Sequence, residues 1–300
     1  MTALREQPRC GRIAYTNDLP VYAGFDEGIA RFPHRITADV PSGLNRALLE
    51  GRLDISPISS AFYAQHPDDF VLLPDVCIAS KRDVRSIACI SAVPPDRLAS
   101  RPIAVTMESE TGRMLFGVIC RTWYGFQPVL QTEDDPFSAY ARDGSPCLLI
   151  GDRAIDAADR ARPEHVYDLG ALWHAFTGAG MVYAVWAARR AYAAENEETL
   201  AGFAAELGRS KDWGLQHIDE VIVSAQRMRQ RPAGFYEDYY DCLTFDFDEA
   251  AQKDLMLFFD VAKKAGLLSE APALEFLRRV RTRTGAGARS ANEPLAGRAR

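Results

Sequence analysis

The chain has 300 residues, 47% of them apolar and 25% charged, enough for about two domains with cores of their own, which excludes intrinsic disorder as the main state. A net charge of −6 argues against a general nucleic-acid binder, whose surface is basic. No apolar run reaches the roughly 20 residues of a membrane span, and the opening MTALREQPRC offers no apolar stretch to act as a signal sequence, so the sequence predicts a cytoplasmic protein with neither membrane nor nucleic-acid partner.

In chain order, GRIAY reads as a strand that ends in a polar turn at Thr16-Asn17-Asp18, and RITADVP as a second strand. Ser42 stands where a helix N-cap belongs, ahead of GLNRALLEG, whose Leu44, Leu48 and Leu49 fall at helical spacing before Gly51. LDISPI is a third apolar run, and SSAFYAQH starts another helix behind Ser59 or Ser60. Strand and helix alternating in this way predict a parallel sheet with crossover helices. FVLLPDVCIAS and RSIACISAV read as two further strands, and RPIAVTMESETGRMLFGVICRTWYG as strand, polar turn and helix. QPVLQ, PFSAYARDG and PCLLIGD continue the alternation, and MVYAVWAARR is a long apolar strand after the turn TGAG. Beyond Arg190 the pattern becomes amphipathic and helical, near 191–207, 211–230, 247–265 and 271–282.

The fold class is therefore α/β in two lobes. A helical block without a sheet must dock on something, most simply the first half, which makes lobe I discontinuous at 1–95 plus 188–283, with lobe II at 96–187 and a mobile tail at 284–300. Two crossings, near 90–100 and 180–190, form a hinge, and a ligand sits between the lobes at the C-terminal ends of the strands.

Of 35 basic residues only five are lysine, so single arginines are the available anion ligands. The six cysteines form no C-x-x-C pair and read as buried free thiols. The five histidines show no metal-site spacing, and His66 and His174 read as ordinary helix residues. Four polar turns follow apolar strands: Thr16-Asn17-Asp18, Ser56 to Ser60, Thr106 to Gly112, and Gly151-Asp152. In a doubly wound sheet all four share one rim. Those that open helices offer free N–H groups and a positive dipole end, which suit a small carboxylate or phosphate. Each turn taken alone is equally well a helix cap. Arg85, beginning a strand beside Ser86, serves either a surface ion pair or a substrate carboxylate; Asp152 either caps a helix or faces the cleft, and Glu108 is either solvated or capping.

At these residues the sequence resembles the MqnA family, the chorismate dehydratases of the futalosine route to menaquinone. The resemblance is carried by IAYTNDLPVY, VPSGLNRALLEGRLDISPISSAFYA, LLPDVCIAS, VRSIACIS, LLIGDRA, YDLGALWHAFTG and MVYAVWAARR, over roughly 11–190. It implies a periplasmic-binding-protein-like (type II) fold with a cleft between lobes, chorismate as substrate, and no metal or organic cofactor. The resemblance matches Asn17 and Ser86 to the family's cleft motifs, and Ser59, Ser60 and the turn with Thr106, Ser109, Thr111 and Gly112 to its anion-holding loops. Together with the residues read above, the catalytic candidates are Asn17, Ser86 and Asp152, and Ser42, Arg85 and Gly151 join the substrate-binding ones. The chain departs from the family's Ser/Thr-rich pattern at Glu108, Glu110, Gly112 and Arg113.

The implied reaction removes the C3 proton, activated through a ring double bond by the ring carboxylate, and expels the C4 hydroxyl to leave an aromatic ring. Fixed donors stabilise the charge that develops on the carboxylate. The matched motifs hold more neutral polar groups than acid–base groups, so the substrate's own enolpyruvyl carboxylate is the expected base, with Asp152 and Glu108 as protein alternatives. Two other readings stand beside this one: a non-enzymatic binder of a small carboxylate, and the related 1,4-dihydroxy-6-naphthoate synthase, which is expected to carry a histidine base in the cleft.

Overall fold

The computed structural model describes residues 7–108 and 110–277. The tail expected at 284–300, the end of the helix expected at 271–282, and Ser109 lie outside the described residues.

The first stretch alternates as its sequence predicts: β1 (Arg9–Ile13), α1 (Leu19–Asp26), β2 (Arg35–Asp39), α2 (Pro41–Leu49), β3 (Ile55–Ser59), α3 (Ser60–Gln65) and β4 (Phe70–Ser80). The second contains β5 (Ile87–Ile90), β6 (Pro102–Val105), α4 (Glu110–Ile119), β7 (Val129–Thr132), α5 (Phe137–Asp143), β8 (Cys147–Ile150), α6 (Gly151–Arg160), β9 (Val166–Asp168) and α7 (Leu169–Thr177). The chain then returns through β10 (Met181–Arg189) to α8 (Arg190–Glu195), α9 (Glu197–Gln216), α10 (Ile218–Met228), α11 (Ala233–Cys242), β11 (Leu243–Thr244) and α12 (Glu249–Lys264).

Two mixed sheets result, ordered β11-β4-β10-β3-β1-β2 and β7-β6-β8-β5-β9. Each holds one strand that arrives from the other lobe. β5 runs antiparallel to β8 and β9, and β10 antiparallel to β3 and β4. A strand entering from the cleft side must run against neighbours whose C-terminal ends face that cleft. This corrects the expected lobe limits, because residues 87–90 belong to the second sheet and 181–187 to the first. The crossings are 81–86 and 178–180, not 90–100 and 180–190.

Asp168 fastens the first crossing to the second lobe. Its carboxylate caps α7 through the Ala171 N–H (2.9 Å) and accepts the N–H groups of Val84 (3.1 Å) and Arg85 (2.6 Å). Those bonds hold Arg85 at φ 58, a left-handed backbone that a residue with a side chain adopts only when its surroundings enforce it.

Trp173 and Trp186 are fully buried and Trp123 and Trp213 partly so, while five of the six cysteines are buried free thiols and Cys242 is half-buried. The helical block lies against the first sheet. α9 approaches α1 so closely that a Cβ on Gly214 would stand 2.1 Å from the Pro20 carbonyl oxygen. Three local expectations are corrected. Leu49 is 41% exposed, because Leu44, Ala47 and Leu48 already fill the inner face of α2. Residues 271–277 are extended, bridging Leu72 through Phe276, with the Leu72 N–H donating to the Glu275 carbonyl (2.7 Å). A helix that sequence reading did not place, α11, packs Tyr236, Tyr239 and Tyr240 inward. Among the described residues no helix is long and apolar enough to cross a membrane.

Candidate functional site

Strand-to-helix turns from both sheets converge where the lobes face each other. After β1 a 3-10 turn (Thr16–Asp18) presents Asn17, β3 runs straight into α3 at Ser59, and β8 into α6 at Gly151. With Ser86 at the end of the first crossing and Thr111 and Gly112 opening α4, these residues line one cleft. Clefts between lobes are where small-molecule ligands sit. The cleft floor is apolar, built by Ile13, Ile58, Ile78, Val84, Ile87 and Ile150, and suits a flat carbocycle.

Asn17, Ser59, Ser86, Thr111, Gly112 and Gly151 are thus brought together. Ser42, Ser60, Arg85, Thr106 and Asp152 are not in the cleft wall. Ser42 is not the N-cap either: Val40 holds that position and Pro41 opens α2, where its missing N–H costs nothing. Ser60 is fully buried and its hydroxyl donates to the Val182 carbonyl (2.7 Å). Arg85 turns outward toward Asp238 (3.7 Å), an exposed pair of little energetic weight. Thr106 is buried with its hydroxyl unpartnered.

The helix N-termini are also more occupied than a waiting anion site requires. The Ala61 N–H of α3 donates to the Thr111 hydroxyl of the opposite lobe (3.2 Å), and the Ser59 N–H to Asn45 Oδ1 (3.1 Å). The Gly151 N–H donates to the Ser86 carbonyl (2.7 Å). The first residue of α4 is itself a carboxylate, Glu110.

Asp152 is the clearest correction. Its carboxylate accepts the Thr16 hydroxyl (2.5 Å) and lies 3.7 Å from Arg229. Burial raises its pKa, while the bonds from Thr16 and the charge of Arg229 oppose that rise. A carboxylate tied in this way fastens lobe to lobe and is poorly placed to remove a proton. Beside it Arg231 clasps Asp156 and Asp159 (both 2.5 Å). The Asp152→Asn variant should raise the KM for a cleft ligand several-fold while kcat stays within about threefold, since the chemistry is untouched and closure is weakened. Steady-state kinetics separates the two, and a large fall in kcat alone would restore Asp152 as base.

Tyr15 and Glu108 form the second tie. The Tyr15 hydroxyl donates to Glu108 Oε2 (2.7 Å), with Arg153 at 3.8 Å from the same carboxylate. Burial and then Glu108 push the tyrosine pKa up, so it remains a donor. Tyr15 and Tyr183 were missed in the sequence. The available signal was an aromatic at the strand end immediately before the Asn17 turn. Tyr239, delivered by α11, is buried beside Ser86. His66 packs at a tilt on Phe62 (ring centroids 4.5 Å apart) and His174 faces the Ala179 carbonyl (3.2 Å), and no histidine is among the cleft-lining residues.

Asp18, next to Asn17, is wholly buried, and its Oδ2 accepts the Ile13 N–H (3.0 Å), which fixes the turn that presents Asn17. Burial pushes its pKa up to about 7, against the pull of Arg12 and the Ile13 bond. A folded-state pKa above the unfolded value contributes stability that is fully present below the unfolded pKa and is lost as pH rises through the folded one. The window runs from about 4 to about 7. The Asp18→Asn variant, neutral throughout, should gain Tm over the parent at pH 8 and little or none at pH 4, as thermal melts across that range will read.

A family model described as menaquinone biosynthesis matches residues 8–264. The chain is similar to the chorismate dehydratase of Thermus thermophilus, 36% identical over 217 residues that cover 66% of this chain and 76% of that one. It is also similar to the 1,4-dihydroxy-6-naphthoate synthase of the same organism, 26% identical over 275 residues, 89% of this chain and 98% of that one. Among solved structures, a Candida albicans protein with the generic periplasmic-binding-protein fold superimposes with a TM-score of 0.64 at 12% identity, covering 89% of this chain and 92% of that one. The fold is therefore periplasmic-binding-protein-like, and at that identity the likeness speaks to the fold alone.

Proposed function

This chain belongs to the menaquinone-biosynthesis family, and we propose that within it the protein is a chorismate dehydratase of the futalosine route, acting in the cytoplasm. It eliminates water from chorismate to give 3-[(1-carboxyvinyl)oxy]benzoate. The observation that carries this reading is the pairing, in one apolar-floored cleft, of Asn17 from the first lobe with Ser86 at the entry to the second. Asn17 Oδ1 is shielded from solvent and has no hydrogen-bond partner in the protein, an unmet demand that a ligand can satisfy.

The ring lies on the isoleucine and valine floor. Its enolpyruvyl carboxylate takes the C3 proton, and the electron pair moves through the ring double bond toward the ring carboxylate. Asn17 and Ser86 orient the reacting groups, and their fixed dipoles favour the charge as it forms. The C4 hydroxyl then leaves and the ring becomes aromatic. Enclosure of the cleft by the Tyr15–Glu108 and Thr16–Asp152 ties keeps bulk water from the intermediate.

The test is to mix metal-stripped protein with chorismate and follow products by chromatography. Repeated turnover to the aromatic enol-ether benzoate supports the reading. Binding without turnover replaces it with a carboxylate-binding protein. Absence of both turns attention to the substrate of the naphthoate enzyme, although the cleft lining offers no histidine to serve as that enzyme's expected base.

A further inference from the structure

Glu110 is the one carboxyl in the cleft wall, among the described residues, with a buried oxygen that meets no hydrogen-bond donor. The other cleft glutamate, Glu108, is engaged by Tyr15 and Arg153. Oε2 of Glu110 is shielded from solvent and meets no donor. A buried carboxyl oxygen left without a partner is costly, and it is retained where a ligand or a reaction uses it.

A dicarboxylate substrate repels an ionised glutamate and accepts a neutral one. Burial already raises the pKa of Glu110. The groups that face it and oppose the rise are the Asn45 amide and Arg46 on α2, His66 at the end of α3, and Arg113 on α4. Two substrate carboxylates entering the same cleft shift the balance further toward the acid.

We propose, resting on the dehydratase reading, that Glu110 is a further catalytic residue that holds the ring hydroxyl of the substrate and gives it a proton as it leaves. The step balances. The C3–H bond breaks and its proton passes to the enolpyruvyl carboxylate, while the electron pair is carried by the extended ring carboxylate. That pair returns to form the C3=C4 double bond as the C4–O bond breaks. The departing oxygen takes the Glu110 proton and leaves as water. The proton on the enolpyruvyl carboxyl returns to Glu110, directly or through solvent, and no oxidant or second reactant is needed.

The experiment compares the parent chain with Glu110→Gln, Glu110→Asp and Glu110→Ala, using chorismate for turnover and the hydroxyl-free benzoate product for binding. In Glu110→Gln, kcat should fall about 100-fold, and the decline of activity at high pH expected of the parent should disappear. Glu110→Asp should recover part of the rate. The dissociation constant of the benzoate should stay within about threefold in all variants, because it lacks the hydroxyl. A Glu110→Gln rate within threefold of the parent, with the same pH profile, overturns the proposal. Equal losses in turnover and benzoate binding also overturn it, since they mark a structural role. If the parent binds chorismate without turning it over, the dehydratase reading fails by itself. Hydroxyl recognition is then judged by whether Glu110→Ala weakens chorismate about tenfold more than the benzoate. Loss of that contrast, or absence of chorismate binding by the parent, removes the proposal as well.

Discussion

Asn17→Ala should lower kcat for chorismate dehydration by about 10²- to 10³-fold, the loss typical of removing one preorganised polar group from around a developing charge. The side chain sits in a three-residue turn whose ends are fastened independently of it: Asp18 accepts the Ile13 N–H, and the Thr16 carbonyl accepts the Tyr240 hydroxyl (2.9 Å). Its own carbonyl oxygen makes no bond inside the protein. Truncation therefore removes little folding free energy, and Tm should shift by no more than about a degree or two. Asn17→Asp keeps the shape but sets a negative charge against a dianion, so it should lose substrate affinity in addition to rate. Parallel measurement of kcat, KM and Tm separates these outcomes. A fall in Tm proportionate to the loss of activity would assign Asn17 to the turn and not to the reaction.

How far the sequence carries this argument depends on which residues act locally. The βα alternation through β1 to α3 is legible because apolar runs of four or five residues are punctuated by Asn17-Asp18, Pro41 and Ser59-Ser60. The direction of β10 is not. MVYAVWAAR is buried on both faces, so its pattern is the same whether it runs with its neighbours or against them, and only the path of the chain between lobes decides. The same ignorance of path put β5 in the wrong lobe. α11 escaped notice because Tyr236, Tyr239 and Tyr240 are half polar, and the burial of Tyr236 and Tyr240 depends on finding the Ala225 and Thr16 carbonyls across the chain. The site followed the same division. Asn17, Ser59, Thr111 and Gly151 sit in turns whose place on the rim follows from topology. The role of Asp152 depends on Thr16, 136 residues away, which no local pattern encodes.

Gly151→Ala is expected to be the most disruptive single-methyl change in the cleft, for two separate reasons. Gly151 has φ +62, a backbone that an alanine adopts only with strain. A Cβ built there would also stand 2.6 Å from the Tyr15 ring, and that ring has nowhere simple to go. Tyr15 is 7% exposed, and its hydroxyl is committed to Glu108 across the cleft. Each effect should destabilise the fold by about 1–3 kcal/mol. Displacing the ring also disturbs the Tyr15–Glu108 tie and shifts the start of α6, so turnover should fall at least about 100-fold, as misplacement near 1 Å does elsewhere. The contributions can be separated by combining Gly151→Ala with Tyr15→Leu. The double variant relieves the ring clash, so it should recover the packing part of the lost Tm but not the backbone part. It should not recover activity, since the tie to Glu108 is gone. If the double variant is no more stable than Gly151→Ala, the glycine is required by its backbone alone. The close approach of Tyr15 would then be a consequence of the left-handed turn and not its reason.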